Sequence, residues 1–169
     1  SYKGIPTLRS AFSSWYSRNF DYHPDPNTQI LPLIGSKEGV MHVSMSFLNP
    51  GDEVLVPNPG YPSYGMCTKL AGGVAVDMPL LEHLGWKPDL DALEKQDLSK
   101  VKLMWINYPN MPTGAKADLD FFEKLVHFAR KNQILICHDN PYAFILNDHP
   151  LSIFNVAGAE DCAIELVSL

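Results

Sequence analysis

Three short stretches of the sequence hold residue types able to do chemistry together. Gly35-Ser36-Lys37-Glu38-Gly39 falls where a helix is expected to begin, and the unpaired N–H groups and positive dipole end of a helix start favour an anion such as phosphate. Taken alone, Ser36 as a plain N-cap is the simpler reading. Asp139 directly follows the apolar run 134–138, so its carboxylate should emerge beyond a strand, with Tyr142 of Asp139-Asn140-Pro141-Tyr142 near enough to join it. An ordinary turn aspartate is the alternative there. Asn107-Tyr108-Pro109-Asn110-Met111-Pro112-Thr113-Gly114 places two prolines, two asparagines and a glycine after another apolar run. That density of backbone-restricting residues suits a shaped wall, a rigid connector, or both.

The elements that must position these stretches follow from periodicity. Leu8, Ala11, Phe12, Trp15 and Tyr16 lie at helical spacing within 7–19, with Thr7 as the expected cap. Residues 30–34 read as a short strand or an extended lead-in to Gly35. A second helix is expected over 36–48, with Val40, Val43, Met45, Phe47 and Leu48 as its apolar side, ended by Asn49-Pro50-Gly51. Further helices are expected over 61–71, 90–98 and along the stripe Leu119, Phe122, Leu125, Val126 and Ala129. Strands are expected over 53–56, 74–78, 101–106, 134–138 and 163–167. Strands alternating with helices of this length predict an α/β fold, a mostly parallel sheet flanked by helices on both faces. In such sheets ligands collect beyond the carboxyl ends of the strands, which is where all three stretches fall.

Composition narrows the classes. At 169 residues, 46% hydrophobic and 19% charged, the chain suits one globular domain. The net charge is -6 and the thirteen Lys and Arg are scattered, so no basic face predicts a nucleic-acid partner. The apolar runs are strand-sized, which predicts no membrane span, and the polar, aromatic start predicts a cytoplasmic location. Cys67, Cys137 and Cys162 have no metal-ligand spacing and are expected to be reduced and buried. The six histidines show no metal spacing either, and His138 reads as a strand-end residue rather than a catalytic base. No G-x-S-x-G elbow is present for serine hydrolysis.

Taken in order, G-S-K-E-G, P-G-Y-P-S-Y at 59–64, N-Y-P-N-M-P-T-G and D-N-P-Y resemble the motifs of class I/II aminotransferases of pyridoxal-phosphate (PLP) fold type I, the aspartate aminotransferase-like family. The resemblance runs from about Gly4 to Leu169 and implies a partial large, cofactor-binding domain over 1–169, with the small domain absent. It implies PLP as cofactor. Ser36 and Lys37 then match the residues that hold its phosphate, Tyr61 the aromatic that stacks on its ring, and Asp139 the carboxylate that pairs with its pyridine nitrogen. Tyr142 matches a phenol donating to the ring oxygen, and Ser168 the first serine of an S-x-S-K segment that also contacts the phosphate. The implied activity is transfer of an amino group between an amino acid and a 2-keto acid by a homodimer.

Two positions depart from the family pattern. Met111 stands where the family has the asparagine that bonds the ring oxygen, and a thioether cannot donate. Tyr142 alone, Asn110, or Asn107 could take over, or the site is altered. The Schiff-base lysine is expected beyond Leu169, so no catalytic residue is assigned and this stretch alone is expected to be inactive. The same apparatus also serves carbon–sulfur lyases, decarboxylases and racemases, and a non-catalytic chain binding PLP reversibly, or not at all, stays open as well.

Overall fold

The computed structural model describes residues 2–168; Ser1 and Leu169, the ends of the expected domain, lie outside the described residues. The helices are α1 (Pro6–Phe20), α2 (Ser36–Phe47), α3 (Ser63–Leu70), α4 (Leu90–Leu93) and α5 (Leu119–Asn132). The strands are β1 (Glu53–Asn58), β2 (Val74–Leu81), β3 (Lys87–Pro88), β4 (Val101–Asn107), β5 (Leu135–Asn140) and β6 (Ala163–Val167). They form one six-stranded sheet in the order β3-β2-β1-β4-β5-β6. All neighbours run parallel except the short β3, which pairs antiparallel with β2. The chain steps outward from β1 to β2 and then returns to the other side of β1 with β4. This reversal opens a crevice at the carboxyl ends of the strands.

Alternation along the central strands separates two cores. Met104 and Ile106 of β4 and Ile136 of β5 pack with Phe122, Leu125 and Ala129 of α5 on one face. Leu103 and Trp105 of β4, Cys137 of β5 and Leu166 of β6 pack with Val40 of α2 and Tyr64 of α3 on the other. Every residue of β4 except Lys102 is buried, as a central parallel strand covered on both faces requires. Asp118 caps α5 by accepting from the Phe121 N–H at 2.8 Å, and Arg130 and Lys131 lie in its last turn, where the dipole favours cations. At Gly39 in α2 an added Cβ would come within 2.7 Å of Leu33 and 2.9 Å of Leu166, so this glycine lets the helix lie against β6.

Several elements differ from the pattern expected of them. Pro6 opens α1 and Ile5 is its N-cap, so Thr7 is an ordinary helical residue; proline tolerates the first helical position because its missing N–H has no partner there. Of the expected α1 stripe only Tyr16 is fully buried, with Leu8 40% exposed. Arg9 is buried instead, donating to the carbonyls of Pro26, Lys3 and Gly4 at 2.7, 3.1 and 2.7 Å. A guanidinium with its donors satisfied tolerates burial, and hydrophobic periodicity cannot register that. Residues 30–34 lead in to Gly35 without pairing as a strand, the second of the two expectations for them, while α4 is a single turn and β3, at two residues, is too short to carry a periodic signal.

Trp105 is fully buried and stacks on Tyr64 with centroids 4.9 Å apart and planes 5° from parallel. Trp105→Ala is expected to destabilise the intact protein by about 3–5 kcal/mol through the cavity it leaves. Urea titration of the two proteins checks this, and a loss below about 1 kcal/mol would show that the face collapses freely around the gap.

Candidate active site

The crevice residues are linked through touching side chains on the α2–α3 face of the sheet. Lys37 Nζ lies 5.8 Å from the centre of the Tyr61 ring. Tyr61 meets Tyr64 edge to face, with centroids 5.7 Å apart. The Tyr64 hydroxyl donates to Asp139 Oδ2 at 2.7 Å. Asp139 shares this face with Cys137, two residues earlier on β5. The asparagine that ends β4 closes the frame: Asn107 Nδ2 donates to the Asp139 carbonyl at 2.8 Å, and its Oδ1 accepts from the Met111 N–H at 2.8 Å.

Asp139 lies inside β5, not after it, paired with Asn107 on one side and Leu166 on the other. Its side chain is therefore fixed by two strands and only 5% exposed, unlike a turn aspartate. Oδ1 is buried and, among the described residues, has no hydrogen-bond partner. Burial pushes this carboxyl above the usual carboxylate range, offset in part by the Tyr64 hydroxyl and the charge of His138. The same burial, together with the nearby Asp139 charge, pushes the Tyr64 phenol up and keeps it a donor. Tyr61 goes the other way, its phenol drawn down by the Ser63 hydroxyl and the Lys37 ammonium.

Ser36 is not the N-cap. Gly35 takes that position with φ 148°, and Ser36 is the first helical residue, so its hydroxyl is not spent on capping. The Ser36 and Lys37 N–H groups lack intrahelical acceptors, as at any helix start. A Cβ at Gly35 would meet nothing within 4 Å, which leaves open space beside them. Tyr142 lies in the turn after β5 and is 39% exposed, while Ser168 follows β6 and is exposed. A cleft of about 540 Å³ between α1, the 22–36 segment and β6 is lined by both Ser36 and Ser168, but not by Lys37, Tyr61, Asp139 or Tyr142. Five of the six site residues thus form two sets, Lys37, Tyr61 and Asp139 connected through Tyr64, and Ser36 with Ser168 along the cleft, while Tyr142 in the turn after β5 belongs to neither.

Tyr64 was not singled out beforehand, although its spacing from Tyr61 in P-G-Y-P-S-Y was the available signal. Of the residues weighed against Met111, Asn107 has both ends of its amide engaged in the frame. Asn110 has its Oδ1 engaged by Thr113 and its buried Nδ2 free of any partner. His138 is fully buried and lies inside β5 rather than at its end. Among the described residues, no three metal-binding side chains come together, and no helix is long and apolar enough to cross a membrane.

A carboxylate whose pKa rises on folding binds more protons in the folded state, so its ionisation costs stability. The cost is nil below the ordinary value of 3.8, grows as pH climbs toward the raised folded value, and is complete above it. Asp139→Asn keeps an acceptor for Tyr64 and removes that cost. The ligand-free variant is expected to unfold at higher urea than the wild type at about pH 7.5, with the gap closing as pH falls. Urea titrations between about pH 4 and pH 8 check this; a gap that widens on acidification contradicts the burial argument.

Comparison with known proteins places these features in context. The family model described as aminotransferase class I and II matches residues 1–168. An LL-diaminopimelate aminotransferase of Dehalococcoides mccartyi is 46% identical over 169 residues, covering 99% of this chain and 44% of that protein. The protein of the same description from Gloeobacter violaceus is 47% identical over 172 residues, covering 99% and 43%. A solved structure of substrate-bound BacF from Bacillus subtilis superposes with a TM-score of 0.94 at 39% identity, covering 99% of this chain and 43% of that one. The chain spans less than half the length of these relatives.

Proposed function

This chain belongs to the class I and II aminotransferase family, and from that premise we propose that the protein transfers an amino group between an amino acid and a 2-keto acid with pyridoxal 5'-phosphate as cofactor. The stretch described here, one partial large domain, supplies the anchorage and electrostatic setting of that cofactor. One observation carries the reading: a buried carboxylate with one oxygen held by Tyr64 and the other, Oδ1, bare, at the strand ends where the family's ligand belongs. A protonated ring nitrogen would satisfy that oxygen and offset the cost of burying the charge.

The residues present fit the cofactor. Asp139 would hold the pyridine N–H, and Tyr64 keeps the carboxylate turned toward it. The start of α2, with the Ser36 hydroxyl and Lys37 ammonium, suits the phosphate, and Ser168 lines the same cleft as Ser36. Tyr61 presents a ring for stacking, and Tyr142 and Asn110 are the donors available where Met111 has none. Bound pyridoxal phosphate supplies an electron sink for the carbon that bears the amino group. The protein's share is to keep Asp139 ionised, oriented and shielded from water.

A homodimer and a cytoplasmic location belong to the same proposal. Met45 and Phe47 of α2 and Met66 and Leu70 of α3, on helices that pack together, stay exposed and offer apolar surface for a second subunit.

Titration of the full-length protein with pyridoxal phosphate tests the reading. Visible absorbance that changes on adding an amino acid is expected, and its absence counts against it. LL-diaminopimelate is the first donor to try, since relatives at 46–47% identity carry that name. Asp139→Ala is expected to lower kcat roughly ten- to hundredfold, the equivalent of a charge-assisted hydrogen bond of about 1.5–3 kcal/mol. Tyr61→Phe keeps the stacking ring and should cost far less, so equal losses would contradict the role given to Asp139.

A further inference from the structure

On the face of the sheet opposite Asp139 lies a second buried polar cluster that the cofactor reading does not use. His138 is completely buried on β5, and its Nε2 lies 3.0 Å from the Tyr108 carbonyl. A carbonyl only accepts, so Nε2 carries a hydrogen. Its Nδ1 lies 2.7 Å from Glu165 Oε1, off the alignment of a directed hydrogen bond, with the Glu165 side chain only 1% exposed. His138 and Glu165 are register partners across β5 and β6.

The state of this pair follows from its surroundings. Glu165 Oε1 accepts from Asn140 Nδ2 at 3.1 Å, an amide whose orientation is set by the Leu151 carbonyl it also faces at 3.1 Å. Oε2 accepts from Ser152 Oγ at 3.0 Å and from the Tyr16 hydroxyl. Three donors on its two oxygens favour the ionised form of Glu165, and of the two groups that meet at 2.7 Å an imidazole is ordinarily the stronger base than a carboxylate. So close an approach of Nδ1 and Oε1 requires a proton on one of them, and this difference in basicity assigns it to Nδ1, which makes the ring an imidazolium. Among the described residues, no other cation balances Glu165 within the cluster: α1 contributes Tyr16, α5 the Phe122 ring at 5.2 Å, and the turn before Ile153 Ser152.

We infer that Glu165 is a positioning residue acting through His138: the buried imidazolium it holds, one residue from Asp139 on the same strand, is the cation that keeps Asp139 an anion. Asp139 has Tyr64 as its neutral donor, and the charge of His138 is the remaining influence that favours its ionised form. Because successive side chains of a strand point to opposite faces, the cation acts from behind the sheet without occupying the side where the ligand belongs. This deepens the cofactor reading and rests on it for its purpose, although the charge arrangement exists without the cofactor.

The test uses the full-length protein and begins without cofactor. Nitrogen NMR of the His138 ring in the wild type at about pH 7.5 is expected to show both nitrogens protonated; a singly protonated ring overturns the inference whatever the variants do. Carbon NMR of the Asp139 carboxylate then follows its titration in Glu165→Gln and in the double variant His138→Gln/Glu165→Gln. Both are expected to move the Asp139 midpoint to higher pH. The double variant replaces the pair by two neutral amides that can hydrogen-bond to each other, so its urea midpoint should recover relative to Glu165→Gln while the Asp139 shift persists. A merely structural cluster predicts that stability and titration recover together, and that result overturns the inference.

In the cofactor-loaded enzyme the double variant should lower kcat about tenfold with little change in KM, with the acidic limb of its pH profile moved upward. If the wild type takes up no cofactor, the function reading fails, while the NMR arms still decide the charge relation. The titratable groups facing this site, among the described residues, are Glu165, Tyr16 and Tyr22 behind the sheet, and Tyr64, Tyr61, Tyr142 and Lys37 in front of it. None of these is altered in the double variant except Glu165.

Discussion

A carboxylate buried with only one of its oxygens satisfied is the constraint on which the rest of this structure depends. Asp139 is placed where burial disfavours its charge, and a single phenol supports it directly. Left there without compensation, such a group would protonate or draw in water. Its position inside β5, between Asn107 and Leu166, denies it the freedom to turn toward solvent. The sheet thus holds a reactive arrangement at a cost in stability, the trade that binding sites commonly make.

Both faces of β5 serve that arrangement. In front, α2 and α3 bring Lys37, Tyr61 and Tyr64 toward Asp139, and Gly39 and the Trp105–Tyr64 stack set how closely those helices approach the strands. Behind, His138 joins the end of β4, through the Tyr108 carbonyl, to Glu165 on β6. A parallel sheet offers this economy because neighbouring residues of one strand face opposite compartments yet stay covalently adjacent. The asparagine frame at the end of β4 adds the third tie, joining the 107–114 wall to the Asp139 backbone.

Much of the fold was legible from periodicity. The central strands, the helices that flank them and the parallel arrangement follow from buried apolar runs alternating with amphipathic stretches, and the last strand agrees residue for residue at 163–167. Elements that rest on polar burial or on very few residues were not legible. Arg9 is buried because three carbonyls from neighbouring segments converge on it, and α4 and β3 are too short to leave a pattern. The four ordered motifs named the family, and they pointed to Ser36, Lys37, Tyr61, Asp139, Tyr142 and Ser168 as one group. Their separation into a set linked through Tyr64, a pair along a cleft and Tyr142 apart from both could not be read from order alone.

Residue types and their spacing along the chain were enough to assign the class of fold and the end of the sheet where ligands collect, while the carboxylate there was singled out by the family resemblance. The first two are local properties, written in alternation and in turn-forming residues. Which oxygen of Asp139 is paired, that Tyr64 pairs it, and that Glu165 reaches His138 arose only once segments far apart in the chain were packed together. Hydrogen bonding and desolvation depend on neighbours within a few ångströms, and strand register, not sequence distance, selects those neighbours.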